Sequence, residues 1–205
     1  MCWSGVGFAV SVAAVAVTVA MHGDDDRKPP MLTEHDFYSY TVQGADAQAV
    51  SLEQYRGTVS LVVNVASECG YTDSHYRALT EFHDRYAPTK KFQVLAFPCN
   101  QFGAQEPAPI AEVLQFADEN YGAEFPIFNK IKVKGPNANE AFTNLIQQSG
   151  LKPSWNFFKY LVDKDGRVLS GYSSDVELAS MQREIEQAIV DAGGDLSLRS
   201  HHDEL

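Results

Sequence analysis

The chain has 205 residues, 44% of them hydrophobic, and a formal net charge of −11. With an N-terminal targeting segment set aside, about 170 residues remain, enough for one domain with its own core. The negative charge argues against nucleic acid or an anionic membrane surface as partner, and three cysteines are too few for a disulfide-stapled secreted scaffold.

Residues 5–21 are an uninterrupted run of apolar and small residues, ended by His22-Gly23-Asp24-Asp25-Asp26-Arg27-Lys28-Pro29-Pro30. The run is near the lower limit for a bilayer span and long for a signal-peptide core. Residues 1–30 are therefore read as a cleaved signal peptide or a retained signal-anchor with a short linker. Residues 31–195 are the predicted domain, and 196–205 a tail ending His202-Asp203-Glu204-Leu205. That terminus is a retention address read by a receptor in the endoplasmic reticulum. Either N-terminal topology puts the domain in the lumen, where the redox poise favours thiol chemistry.

Residues 36–42 alternate aromatic and polar side chains and are predicted as a first strand, followed by a turn at Gly44-Ala45-Asp46. Residues 51–57 read as a short capped turn closed by Gly57. Residues 58–66 are rich in β-branched side chains and apolar on both faces, the pattern of a central parallel strand. A helical period over 74–86 follows, then a second buried strand at 92–97, which together make a βαβ unit. Helices are predicted at 109–121 and 138–149. Residues 157–162 and 167–172 flank Asp163-Lys164-Asp165-Gly166, a hairpin signal, and 176–190 closes the chain as an amphipathic helix. This order predicts an α/β, thioredoxin-like fold with a central mixed sheet flanked by helices. Its chemistry belongs at the carboxyl ends of the parallel strands.

Cys69 falls at that place. A thiol where a strand gives way to a helix faces the helix's unpaired N–H groups, which favour the thiolate. The third residue after it is Thr72, so there is no C-x-x-C dithiol. Two further segments carry polar donors in apolar surroundings. Residues 97–107, with Cys99 and Gln105, leave the second buried strand, and Ser154-Trp155-Asn156-Phe157 enters the hairpin. Together with residues 64–72 they resemble the motifs of the glutathione peroxidase family, and the likeness runs over about residues 37–190. The chain looks most like the cysteine-type members of the endoplasmic reticulum.

The resemblance implies a thiol peroxidase acting on hydrogen peroxide or small organic hydroperoxides. In it Cys69 is the peroxidatic residue, at the position selenocysteine holds in other members, and Gln105, Trp155 and Asn156 complete a catalytic tetrad. Carboxamide and indole N–H groups can donate to a thiolate and to peroxide oxygens, and none of them titrates near neutral pH. Attack on the O–O bond leaves Cys69 as sulfenic acid. Cys99 is either the thiol that resolves it or a buried structural cysteine. If Cys99 is structural, the resemblance implies protein disulfide isomerases or glutathione as the reductant. A redox adaptor that chiefly binds and oxidises such isomerases is the alternative function. No prosthetic group is expected beyond the thiol co-substrate, nor a metal, since no Cys/His cluster has ligand spacing. Against the longer insertion that tetrameric members of the family carry before Trp-Asn-Phe, the short link of residues 151–154 implies a monomer. His75 and His83 are read as surface or packing residues, Asn64 as a tie to a neighbouring loop, and Glu68 as pointing outward.

Overall fold

The computed structural model of the chain describes Met1 and residues 35–200; the N-terminal apolar run and the His-Asp-Glu-Leu terminus lie outside the described residues. Ten regular elements follow in chain order: β1 (Thr41–Gln43), β2 (Ala49–Ser51), β3 (Val59–Val65), α1 (Thr72–Tyr86), β4 (Phe92–Pro98), α2 (Ile110–Tyr121), α3 (Glu140–Ser149), β5 (Lys159–Val162), β6 (Val168–Tyr172) and α4 (Leu178–Asp191).

Every residue of β3 is buried, as its two-faced apolar sequence requires. It pairs parallel with β4 on one side and antiparallel with β5 on the other, and the sheet order is β4-β3-β5-β6. The period-2 alternation of the strands then sorts side chains into two separate cores. Val59, Leu61, Val63 and Val65 meet Tyr76 and Leu79 of α1 and Met181, Ile185 and Ile189 of α4. On the opposite face Val62, Leu95, Phe97 and Tyr160 meet Phe142 and Leu145 of α3, with Phe37 and Tyr38 closing the layer.

The first predicted strand is not one element. Asp36 instead caps a 3-10 turn, Phe37–Ser39, its carboxylate accepting from the N–H groups of Tyr38 (2.9 Å) and Ser39 (3.2 Å). The physical reason is that adjacent Phe37 and Tyr38 are both fully buried, whereas an extended strand sends neighbours to opposite faces. The strand begins only at Thr41 and forms a small hairpin with β2. Helix α1 begins at Thr72, two residues before the predicted start. At the other end the fold runs past residue 195. Arg199 pairs with Glu186 at 2.9 Å, and the Ser200 N–H donates to the Arg85 carbonyl at 3.0 Å.

Phe97 lies fully buried, stacked on Phe128 at 4.5 Å between ring centroids and edge-on to Phe142 at 5.2 Å. Phe97→Ala is expected to destabilise the protein by about 3–5 kcal/mol in urea unfolding, because the loss of transfer energy adds to the cavity it leaves.

Candidate active site

The chain leaves β3 and folds back on itself before α1. Thr72 closes this loop: its hydroxyl donates to the Ala66 carbonyl (2.7 Å) and accepts from the Cys69 N–H (3.0 Å), while its own N–H donates to the Cys69 carbonyl (3.0 Å). Cys69 is thereby held at the surface of the first core, 8% exposed, and Glu68 beside it faces solvent. The Glu68 N–H donates to the Gln105 carbonyl at 3.0 Å, which ties the cysteine loop to the loop that leaves β4.

That second loop reverses sharply. Gly103 (φ 65°) and Ala104 (φ 54°) are both left-handed, which turns the chain so that Gln105 returns toward Cys69. The reversal is tight. A Cβ at Gly103 would stand 3.3 Å from Gln105 Cδ and 3.4 Å from Trp155 Cη2. Fully buried Asn156 supplies the third side of the site. Its Nδ2 donates to Gln105 Oε1 at 2.9 Å and to the Phe102 carbonyl at 3.3 Å. Two acceptors fix the Asn156 amide, and Asn156 in turn fixes that of Gln105. The oxygen of Gln105 is occupied and its Nε2 is left as a donor. Asn156 Oδ1 is buried without a protein partner.

Trp155 alone would be expected in a core, yet it is 39% exposed, its ring tilted against Phe102 at 6.0 Å. Its backbone is anchored by Asn64. The Asn64 Nδ2 donates to the Trp155 carbonyl (3.1 Å) and the Asn64 carbonyl accepts from the Phe157 N–H (2.6 Å). Asn64 thus makes the loop tie that a carboxamide inside an apolar strand implies. The three segments 64–72, 97–107 and 154–157 converge at one end of the sheet.

Cys99 does not join them. It is fully buried in the second core with Phe97 and Phe102, its Sγ 3.7 Å from Gln101 Oε1, whereas Cys69 belongs to the first core. The alternation that sends Leu95 and Phe97 to that face carries Cys99 with them. Burial also pushes its thiol pKa up.

Three buried polar residues beside the site were not singled out as functional from the sequence. Glu106 is fully buried; its Oε1 accepts from the Ser67 hydroxyl at 2.8 Å, its Oε2 has no protein partner, and burial raises its pKa to about 7. Lys159, also fully buried, donates from Nζ to the Phe157 carbonyl (2.9 Å), the Ser173 carbonyl (3.0 Å) and His75 Nε2 (3.3 Å). The available signal for Lys159 was a charge inside a strand otherwise apolar on both faces. His75, expected as a packing residue, does pack, its ring 4.9 Å from that of Phe157. Among the described residues no cluster of three His, Cys, Asp or Glu side chains could hold a metal ion, and no helix is long and apolar enough to cross a membrane.

The family model "Glutathione peroxidase" matches residues 37–146. The chain belongs to the glutathione peroxidase family. It is similar to human "Glutathione peroxidase 7", with 50% identity over 152 residues, 74% of this chain and 81% of that protein. Mouse "Probable glutathione peroxidase 8" is 46% identical over 155 residues, 76% of this chain and 74% of its own length. Among solved structures the apo form of Trgpx superposes with a TM-score of 0.60 at 32% identity, covering 76% of this chain and 97% of that one. This member of the glutathione peroxidase family is a peroxidase, an oxidoreductase on a thioredoxin-like α/β fold.

Glu106 makes stability depend on pH. In the folded peroxidase its carboxyl keeps a proton up to about pH 7, while the unfolded chain loses it near the ordinary glutamate value. Between those values the folded state binds more protons, so this group's contribution to stability falls as pH rises through that window. Glu106→Gln cannot ionise there. Urea midpoints should drop less for the variant than for wild type between about pH 5 and about pH 8.

Proposed function

We propose that this peroxidase reduces hydrogen peroxide or a small organic hydroperoxide through Cys69, with the Gln105 amide and the Trp155 indole as donors and Asn156 holding the Gln105 amide in place. The observation that carries the assignment is the Asn156–Gln105 hydrogen bond of 2.9 Å. It leaves the Gln105 amide nitrogen as donor on the loop that is itself tied to Glu68, next to Cys69. The Cys69 thiolate attacks one peroxide oxygen and the O–O bond breaks. The oxygen attacked stays on sulfur as sulfenic acid, and the other leaves as alkoxide or hydroxide, taking a proton to become alcohol or water. Neutral donors on the loops beside Cys69 would stabilise the charge that moves between the sulfur and the departing oxygen.

The sulfenic acid is reduced from outside the chain. Cys99 lies on the opposite face of the sheet and is fully buried, so its sulfur would have to leave the second core to reach Cys69. A first external thiol condenses with the sulfenic acid, releasing water and forming a mixed disulfide. A second thiol then attacks that disulfide, frees Cys69 and leaves the co-substrate oxidised. A protein disulfide isomerase or glutathione supplies these thiols. The tetrapeptide His202-Asp203-Glu204-Leu205 supports reading the cycle as one of the endoplasmic reticulum lumen.

Cys69→Ser should abolish thiol-dependent peroxide consumption; turnover equal to wild type would sink the assignment. Gln105→Leu should slow Cys69 oxidation about 10²-fold, the scale of losing one preorganised donor, measured by stopped-flow with excess peroxide. Cys99→Ser should keep its turnover with an external thiol. A Cys69–Cys99 disulfide found by mass spectrometry after brief peroxide exposure would contradict external resolution.

A further inference from the structure

Lys159 is a fully buried charged side chain on the face of the sheet that holds the first core. It opens β5 opposite Val63, and strand alternation points it to the same face as Val63 and Leu161, into the layer that holds Cys69, Tyr76 and Phe157. Among the described residues it forms no ion pair; the only carboxylate that bears on it, Asp175, is solvent-exposed and acts at a distance. A buried ammonium without a contacting carboxylate is costly, and a methionine would fill the same space without that cost. What methionine cannot supply is three directed donors.

Each donor goes to a different part of the site. The first reaches the carbonyl of Phe157, a non-glycine residue held at φ 62° directly after Asn156. Left-handed backbone at such a residue is unfavourable and persists only when its surroundings hold it. Here both ends of Phe157 are held, the N–H by the Asn64 carbonyl and the carbonyl by Lys159. The second donor reaches the Ser173 carbonyl. The adjacent Ser174 hydroxyl donates to the Asn156 carbonyl at 2.5 Å, so this contact braces Asn156 from the far side. The third reaches His75 Nε2 on α1, the helix that opens three residues after Cys69. His75 Nδ1 stands 3.1 Å from the Tyr71 carbonyl, so Nδ1 carries the ring proton and Nε2 is the acceptor. Burial and the neighbouring ammonium hold His75 neutral, with its pKa lowered to about 4, consistent with that role.

We propose that Lys159, with His75 as its acceptor on α1, is a positioning residue of the peroxidatic site, clamping the Trp155–Asn156–Phe157 corner onto the helix that follows the Cys69 loop. This rests on the assignment of Cys69, Gln105, Trp155 and Asn156 as the peroxide site. Lys159 touches neither peroxide nor sulfur. It acts by keeping Asn156 on Gln105, and so by aiming the Gln105 donor.

Two reactions of Cys69 separate this role from a general structural one. Oxidation by hydrogen peroxide needs the donor array, whereas alkylation by iodoacetamide needs only an accessible thiolate. Lys159→Met should lower the second-order rate constant with hydrogen peroxide about tenfold or more, since small displacements of positioning groups are that costly, and leave alkylation within about twofold of wild type. His75→Phe keeps a ring against Phe157 but removes the acceptor, and should show the same selective loss to a smaller degree. His75→Gln restores an acceptor and should recover most of the peroxide rate. An unchanged peroxide rate in Lys159→Met, or equal loss in both reactions, would overturn the proposal. Should Lys159→Met fail to fold, the two His75 variants carry the test: equal peroxide rates in His75→Phe and wild type would overturn it. Failure of the peroxide-site assignment itself would be seen separately, as wild-type protein whose peroxide consumption survives Cys69→Ser.

Discussion

The site depends on one joint, the attachment of the 154–157 corner to Asn64 near the end of β3. Asn64 sits in a strand buried on both faces and bonded on both edges, so its position is set by the whole sheet. Its side chain and carbonyl hold Trp155 and Phe157, and two residues beyond it the chain departs for Cys69. The β4 loop enters the same place because β4 is parallel to β3 and ends beside it, Val65 opposite Pro98. Three segments distant in sequence meet there because parallel pairing sends the loops after β3 and β4 to one end of the sheet, while antiparallel β5 begins at that end.

The site is assembled mainly from neutral hydrogen bonds whose amides are oriented in sequence. The Phe102 carbonyl and Gln105 Oε1 orient Asn156, and Asn156 orients Gln105. Each partner leaves the next with a defined spare group, so the amides are already oriented in the resting fold. The buried groups near it, Glu106 and Lys159, are ionisable. Each is costly where it stands, and each touches a segment of the site, Ser67 in the cysteine loop and Phe157 after Asn156. The polar cost falls where geometry has to be exact to a fraction of an ångström.

Most regular elements were readable because their burial is strongly periodic. The two-faced apolar run of β3, the helical spacing of Tyr76, Leu79 and Phe82, and the Asp-Lys-Asp-Gly turn each correspond to an observed element. The first segment misled because residues 36–42 carry a strand-like alternation of aromatic and polar side chains, while the local capping of Asp36 and the burial of two neighbouring rings favour a turn. The three segments 64–72, 97–107 and 154–157 that meet at one end of the sheet were legible as motifs. Lys159 and Glu106 were not, because a lone charge in a sequence reads as a solvated one until the neighbours that enclose it are known.

By itself the sequence determined the strand and helix order, the segments that carry the thiol and its amide and indole donors, and the family to which they belong. Those follow from local periodicity and from residue types at fixed spacing, which need no knowledge of distant contacts. The tertiary structure decided which groups share a face and which donors are free. It placed Cys69 and Cys99 in different cores, left the Gln105 nitrogen as a donor by occupying its oxygen, and turned Lys159 inward onto Phe157, Ser173 and His75. Several of these relations, Asn156 to Gln105 and Lys159 to His75 among them, join residues tens of positions apart, and only the packing of the sheet brings them within hydrogen-bond reach.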